Sequence, residues 1–180
     1  MFATGATLES VMRYGILITT LAVTALGFTY PAQASAPKLE GTFSDWATYS
    51  RVEGGDKICY VLAAPQKKAP SSVNHGDIYF MVSNWKSGQA TEQPSLMTGY
   101  TLKDSSPPVA IVGASRTRMF VSANEAFIES ASSERSLVNK MRAGANMRVQ
   151  AVSSRGTSVS YEFSLKGVTA ALKKAKSSCS

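Results

Sequence analysis

Residue types that carry most enzyme chemistry are scarce in this chain. Its 180 residues include one histidine, His75, and two cysteines, Cys59 and Cys179. A zinc site, an iron–sulfur cluster or a histidine proton shuttle needs more such side chains than these. His75 has no G-x-S-x-G or comparable nucleophile motif beside it, and Glu125 and Glu129 lie on an expected edge strand or loop that is poorly suited to paired acid and base work. We predict no catalytic residue, no metal and no cofactor, and a protein that is not an enzyme.

Three other side chains could form a weak ligand site. Lys67 and Lys68 are adjacent cations in a proline-flanked loop, and Trp85 follows a predicted strand near another loop. Together they would line a site for an anion or a sugar. The alternative is a solvated loop and a half-buried tryptophan. Trp46, in contrast, is expected to anchor the core.

The first 34 residues have the pattern of a secretory signal peptide. An uncharged, mostly apolar run over residues 14–30 follows Arg13, and the small-residue triplet Ala32-Gln33-Ala34 predicts cleavage before Ser35. An uncleaved membrane anchor is the alternative. The run is short for that role, because a membrane-spanning helix needs roughly 20 apolar residues.

Removal of 34 of the 180 residues leaves 146, which is enough for one domain but not for two. We predict a signal peptide over residues 1–34, a flexible mature N-terminus over residues 35–41 and a single domain over residues 42–180. No transmembrane segment is expected after cleavage. The predicted location is therefore outside the cytoplasm.

The net charge of +7 belongs wholly to the predicted mature chain, because the two charges of the signal segment cancel. A positive surface attracts anionic lipid head groups, acidic polymers and acidic proteins. We expect an acidic envelope or host-surface partner, with a solvated basic surface that only aids solubility as the alternative. Export and the dispersal of the basic residues disfavour nucleic acid. Nothing in the sequence predicts an oligomeric state.

Alternating apolar residues predict most of the regular structure as strands. Residues 57–63 and 77–82 are apolar on both faces, which is typical of central strands. Residues 109–121 and 147–165 alternate on both sides of a turn, which predicts two antiparallel hairpins. The second hairpin has one apolar and one polar face, as expected for a sheet with one side in water.

Two short helices complete the prediction. The first begins at Ser132 as N-cap and stops at Gly144 in the left-handed conformation. The second is C-terminal, with apolar residues at the i, i+3, i+4, i+7 spacing: Val168, Ala171, Leu172 and Ala175. The fold class predicted is mainly β, a single antiparallel β-sandwich or open barrel with two short helices.

Cys59 and Cys179 are predicted to form a disulfide bond. An even pair of cysteines in an exported chain is more often bonded than free. Cys179 lies four residues beyond Ala175, so it extends the apolar stripe of the second helix toward the sheet that holds Cys59. The alternative is two independent thiols. A thiol-dependent enzyme acting through Cys59 would need a reactive thiolate for which the sequence gives no signal.

Several segments resemble the invasion-associated locus B family of exported bacterial proteins. They are F-S-D-W at 43–46, K-I-C-Y-V-L at 57–62, M-R-A-G at 141–144, R-G-T at 155–157 and F-S-L-K-G-V-T-A-A-L at 163–172. The most specific part is the last, through Ser164, Leu165, Gly167, Ala171 and Leu172. The resemblance implies a small periplasmic or surface-associated protein of a Gram-negative bacterium.

Taken with the charge, this resemblance leads to a functional expectation. We expect an exported envelope or surface protein that acts by binding an envelope or host partner. A structural envelope component without a discrete ligand is the alternative, and a thiol-dependent enzyme is a third possibility.

Overall fold

The computed structural model describes residues 35–180, and the predicted signal peptide lies outside these residues. Twelve strands and two helices form the described part of the chain. In chain order they are β1 (Lys38–Phe43), β2 (Trp46–Glu53), β3 (Asp56–Ala63), β4 (Lys67–Ala69), β5 (Ile78–Trp85), β6 (Gln93–Thr98), β7 (Val109–Val112), β8 (Ser115–Arg118), β9 (Phe120–Ser122), β10 (Glu125–Phe127), α1 (Ala131–Ala143), β11 (Asn146–Val152), β12 (Ser158–Ser164) and α2 (Val168–Ser178).

The strands form two antiparallel sheets. A seven-stranded sheet has the order β1-β2-β3-β5-β6-β10-β9, and a five-stranded sheet has the order β4-β12-β11-β7-β8. Their inner faces share one core, in which the rings of Phe80 and Phe163 meet edge to face at 5.7 Å between centroids. Fully buried Trp46 joins the sheets by donating its indole N–H to the Ser164 carbonyl at 2.9 Å. The predicted mainly β fold is confirmed, with its sandwich and C-terminal helix.

The predicted central strands and hairpins are present. β3 lies between β2 and β5, and most of its residues are buried on both faces. The β7–β8 and β11–β12 pairs are antiparallel hairpins, and the second alternates between buried and outward residues as expected. α2 buries the predicted stripe against the inner face of the seven-stranded sheet, where Thr48 donates to the Ala171 carbonyl at 3.2 Å.

The predicted boundary between a flexible segment and the domain at residue 42 is wrong. β1 begins at Lys38, and its residues pair with β2 from Lys38 opposite Ser50 to Phe43 opposite Trp46. The side chains of β1 are exposed or only half-buried, so this strand leaves little hydrophobic signal in the sequence. An edge strand needs backbone pairing more than apolar side chains, since one of its sides faces water.

Both predicted ends of α1 need correction. The N-cap is Ser130 rather than Ser132, because the Ser130 hydroxyl accepts a hydrogen bond from the Ser133 N–H at 3.3 Å. Gly144 is extended, with φ of −88°, and is not left-handed. A glycine is needed there for space instead, since a Cβ would lie 2.6 Å from the Val112 side chain.

Gly167 begins α2 for both conformational and steric reasons. Its φ of 91° is in the left-handed region that favours glycine. A Cβ at this position would lie 2.0 Å from the Phe43 carbonyl oxygen. The close approach lets the start of α2 lie directly against the end of β1.

Candidate functional site

The structure bonds Cys59 to Cys179, with Cα atoms 5.7 Å apart. Cys59 is fully buried on β3, and Cys179 follows the last turn of α2. The Lys57 ammonium also donates to the Ser178 carbonyl at 2.6 Å, so two links attach the end of α2 to the same strand. Both cysteines of the chain are used in this bond. No free thiol therefore remains for the thiol-dependent enzyme that the sequence left as an alternative.

A basic surface covers the outer side of the five-stranded sheet. The strand register places Arg148, Ile111 and Arg116 in one row, and Gln150, Val109 and Arg118 in the next. All three arginines are exposed. We call this surface the basic sheet face, and define it by Lys67, Arg116, Arg118, Arg148, Gln150, Ser160 and Glu162.

The spacing of the arginines suits an extended anionic partner. Arg116 and Arg148 are two strands apart, which corresponds to about 10 Å, and Arg116 and Arg118 are two residues apart on β8, or about 7 Å. These intervals separate the three guanidinium groups widely enough for each to bind its own carboxylate, sulfate or phosphate.

None of the three arginines forms an ion pair. Glu162 is the carboxylate on this face, and it accepts from the Lys67 ammonium at 3.5 Å. Across residues 35–180, no carboxylate oxygen lies within ion-pair distance of Arg116, Arg118 or Arg148. Arg116 donates instead to the Gln150 amide oxygen at 3.4 Å. The basic sheet face therefore presents three exposed arginines that form no ion pair, although Glu162 lies opposite Arg148 in the strand register.

The predicted ligand site of Lys67, Lys68 and Trp85 is dispersed by the fold. The two lysines lie on edge strand β4 rather than in a loop, and neighbours on a strand point to opposite faces. Lys67 faces Glu162 on the outer side, whereas Lys68 donates to the Gly76 carbonyl at 2.9 Å. Trp85 is the half-buried last residue of β5 in the other sheet. Of the three, Lys67 belongs to the basic sheet face.

Trp85 instead belongs to an aromatic surface on the outer side of the seven-stranded sheet. Register places Trp85 beside Ile58, and Tyr49 beside Tyr60, whose rings stack at 5.7 Å between centroids. Phe120, 45% exposed, packs on Phe127 at the β9 edge. We call this surface the aromatic sheet face, and define it by Leu39, Tyr49, Leu62, Tyr79, Met81, Trp85, Met97, Phe120 and Phe127. Ile58 and Tyr60 lie within it but are buried, at 3% and 6% exposure.

The sequence matches the family model of the invasion associated locus B (IalB) protein over residues 46–176. The chain belongs to the IalB family. Its structure is similar to the crystal structure of invasion associated protein B from Bartonella henselae, with a TM-score of 0.52 and 13% sequence identity over 79% of this chain and 97% of that chain. At this identity, the likeness shows a shared fold alone. A comparison with curated protein sequences finds no significant match.

His75 of this IalB-family chain is held inside a hydrogen-bond network. It is 7% exposed, and its Nδ1 lies 3.1 Å from the Tyr161 hydroxyl while its Nε2 lies 2.9 Å from the Pro70 carbonyl oxygen. Tyr161 is bonded in turn to the hydroxyl of Tyr100. Neither ring nitrogen contacts a serine hydroxyl or a carboxylate, so no catalytic triad is assembled around His75.

Burial affects both tyrosines of this network. It raises the pKa of Tyr161, and the hydrogen bond shared with Tyr100 raises it further. Burial also raises the pKa of Tyr100. Both phenols therefore stay protonated at neutral pH. Within residues 35–180, no three His, Cys, Asp or Glu side chains are grouped as metal ligands, and no helix is both long and apolar enough to cross a membrane.

The arginines of the basic sheet face were missed by sequence analysis. Arg116 and Arg118 are 30 or more positions from Arg148, and the strand order β11-β7-β8 brings them together. The alternation of polar and apolar residues along the predicted strands could have identified them. Each occupies a polar position in a predicted hairpin, opposite the apolar residues that face the core.

Proposed function

We propose that this IalB-family chain is an exported, non-enzymatic envelope or surface protein that binds an acidic envelope or host component. The observation that carries the proposal is the basic sheet face, where three exposed arginines on β8 and β11 form no ion pair. Export is supported by the apolar segment before Ala32-Gln33-Ala34 and by the bonded cysteines, because disulfides persist in oxidising compartments.

The physical basis of binding is electrostatic attraction followed by direct ion pairing. Exposed cations on a flat sheet attract an acidic partner from a distance and then pair with its carboxylates, phosphates or sulfates. Counter-ions screen the first effect beyond about 10 Å at 0.1 M salt and about 3 Å at 1 M. Binding should therefore weaken steadily with increasing salt.

A second candidate function is contact with an apolar partner through the aromatic sheet face. This face carries two exposed apolar side chains, Leu39 at 53% exposure on β1 and Phe120 at 45% on β9, at opposite edges of the sheet. Half-buried aromatic residues, among them Trp85 and Tyr79, lie on the strands between them. Apolar contact is insensitive to screening, so salt separates the two candidates. A structural role without a discrete ligand is the remaining alternative.

The test is a pull-down from a cell-envelope extract with the mature chain, residues 35–180, as bait at low and at high salt. The proposal expects a dominant acidic partner that is recovered at low salt and lost at high salt. Recovery that is unchanged by salt and abolished by Trp85→Ala would favour the aromatic sheet face. Absence of any dominant partner would favour the structural role.

The non-enzymatic part of the proposal has its own test. A purified sample can be screened against hydrolase substrates of several classes, with His75→Ala as the matched variant. We expect no turnover above background with either protein. Turnover that disappears in His75→Ala would contradict this part of the proposal and leave the binding result unaffected.

A further inference from the structure

A cleft of about 580 Å³ opens above His75. Its walls are the loop before β5, the segment after β6 and the turn between β11 and β12. Its volume lies within the roughly 300–1,000 Å³ of small-molecule sites. We call it the His75 cleft, and define it by His75, Tyr100, Thr101, Ser153, Ser154 and Arg155.

The residues that line the cleft make it polar and positively charged. Arg155, from the R-G-T turn at residues 155–157, is the charged residue among those that line it, and its side chain is exposed. Hydroxyl and amide groups account for most of the remaining lining, and no carboxylate is among them. A cleft with a guanidinium at its rim and hydroxyl donors on its walls suits an anion.

The direction of the hydrogen bonds at the base of the cleft depends on whether the His75 ring is neutral or protonated. The Pro70 carbonyl oxygen can only accept, so His75 Nε2 carries a proton. When the ring is neutral, Nδ1 accepts from the Tyr161 hydroxyl, and Tyr161 accepts from Tyr100. The Tyr100 proton is then used inside the network, and its oxygen presents lone pairs to the cleft.

Protonation of His75 reverses this direction. Nδ1 then donates to the Tyr161 oxygen, and Tyr161 donates to the Tyr100 oxygen. The hydroxyl proton of Tyr100 becomes free to point into the cleft. No bond is made or broken in the tyrosines, because their raised pKa values keep both phenols protonated and only the hydroxyl orientations change.

We propose that the His75 cleft binds a small anion, a molecule that carries a carboxylate or phosphate group, through Arg155 and the Tyr100 hydroxyl, and that protonation of His75 strengthens this binding. The site is separate from the basic sheet face and does not rest on the function proposed above. An anion that accepts from Tyr100 stabilises the protonated ring, and by reciprocity the protonated ring binds the anion more tightly.

Other charged groups near His75 could influence the result, and the fold separates them. Lys68 of β4 points toward the loop before β5, where its ammonium donates a hydrogen bond to the Gly76 carbonyl. Asp77 is exposed in the same loop. Lys67 and Glu162, on the outer side of the sheet, pair with each other. Arg155 is therefore the cation that an anion in the cleft would meet.

His75 can report on the cleft directly, because it is the one histidine of the chain. An untagged mature chain would give a single histidine Cε1–H signal in a proton–carbon NMR spectrum. Sulfate and trifluoroacetate serve as probes, since both stay fully ionised between pH 5 and 8, and glucose serves as the neutral control. The measurement follows the His75 signal against pH with and without each probe, and the probe dissociation constant at both ends of that range.

We expect at least one of sulfate and trifluoroacetate to move the midpoint of the His75 titration to higher pH, and its dissociation constant to rise by about fivefold or more from pH 5 to pH 8, the lower end of ordinary coupling between sites. Glucose should leave the midpoint unchanged. A midpoint that neither anion moves would overturn the proposal, as would an equal response to glucose.

Two variants and a control assign the roles. Arg155→Gln should abolish anion binding, and Tyr100→Phe should keep weaker binding but lose its pH dependence. Lys173→Gln removes the same charge from α2, outside both the cleft and the basic sheet face, and should bind the probe as the unchanged protein does. Loss of binding in Lys173→Gln equal to that in Arg155→Gln would contradict the site, because it would show a response to net charge alone.

Discussion

Loss of the bond between Cys59 and Cys179 is expected to lower stability without unfolding α2. The bond closes a loop of 120 residues, for which the chain-entropy relation gives roughly 5 kcal/mol, and measured losses are more often about 2–4 kcal/mol. In Cys179→Ser, α2 keeps its buried stripe and the contact from Thr48 to the Ala171 carbonyl. The effect therefore comes mainly from a less constrained unfolded chain.

The expected change in melting temperature is large enough to measure. For a domain of this size, 1 kcal/mol corresponds to about 2–4 °C, so Cys179→Ser should melt roughly 5–15 °C below the unchanged protein. The assay is thermal and denaturant unfolding of residues 35–180, purified without reductant. Ser177→Ala is the control, because this exposed residue lies in the last turn of the same helix and forms no crosslink.

Reduction provides an independent version of the same perturbation. The unchanged protein in reductant should unfold at the midpoint of Cys179→Ser, and reductant should have no effect on that variant. Coincident midpoints for Cys179→Ser and Ser177→Ala would refute the reasoning. So would two alkylatable thiols in protein purified from an oxidising compartment.

Three further predictions follow from other parts of the chain. N-terminal sequencing of the exported protein should begin at Ser35, and an intact Met1 would contradict the signal peptide. Gly167→Ala should cost at least about 2 kcal/mol in denaturant unfolding, more than Gly113→Ala, which has positive φ but open space. The Ser50 hydroxyl donates to Glu40 and lowers its pKa, so this pair stabilises the fold above the ordinary value of 4.5, and the contribution is lost as the pH falls through the lowered value. Ser50→Ala should raise the pKa toward 4.5 in a carboxyl NMR titration, and an unchanged pKa would contradict this.

Hydrophobic alternation was sufficient to predict the parts of the fold whose buried residues are apolar. β3, β5, the β11–β12 hairpin and the stripe of α2 all satisfy this condition. Hydrophobic alternation gives no signal for β2, because its inward positions after Trp46 are Thr48 and Ser50, which are buried with hydrogen bonds to Ala171 and Glu40. A hydropathy pattern predicts that such residues are exposed, although here their hydroxyl groups are buried and hydrogen-bonded.

The candidate site was harder to predict than the fold. Cys59 and Cys179 could be paired because two cysteines allow one pairing and the helix phase supplies a direction. The basic sheet face depends on which strands become neighbours, and periodicity gives no information about strand order. Lys67 and Lys68 illustrate the limit, since adjacency in sequence suggested one site while the strand geometry sends them to opposite faces.

The central claim is that the basic sheet face binds an acidic partner. Its most direct test compares two triple variants of equal net charge for binding to dextran sulfate, with neutral dextran as the blank. One removes Arg116, Arg118 and Arg148, and the other removes the exposed lysines Lys140, Lys173 and Lys176, each replaced by Gln.

Each exposed ion pair is worth up to about 1 kcal/mol, so the arginine variant should bind roughly 10- to 100-fold more weakly at low salt. The lysine variant should stay within about threefold of the unchanged protein, because its substitutions lie on the helices and leave the basic sheet face intact. Equal losses in the two variants would contradict the claim, since binding would then follow net charge and not this surface.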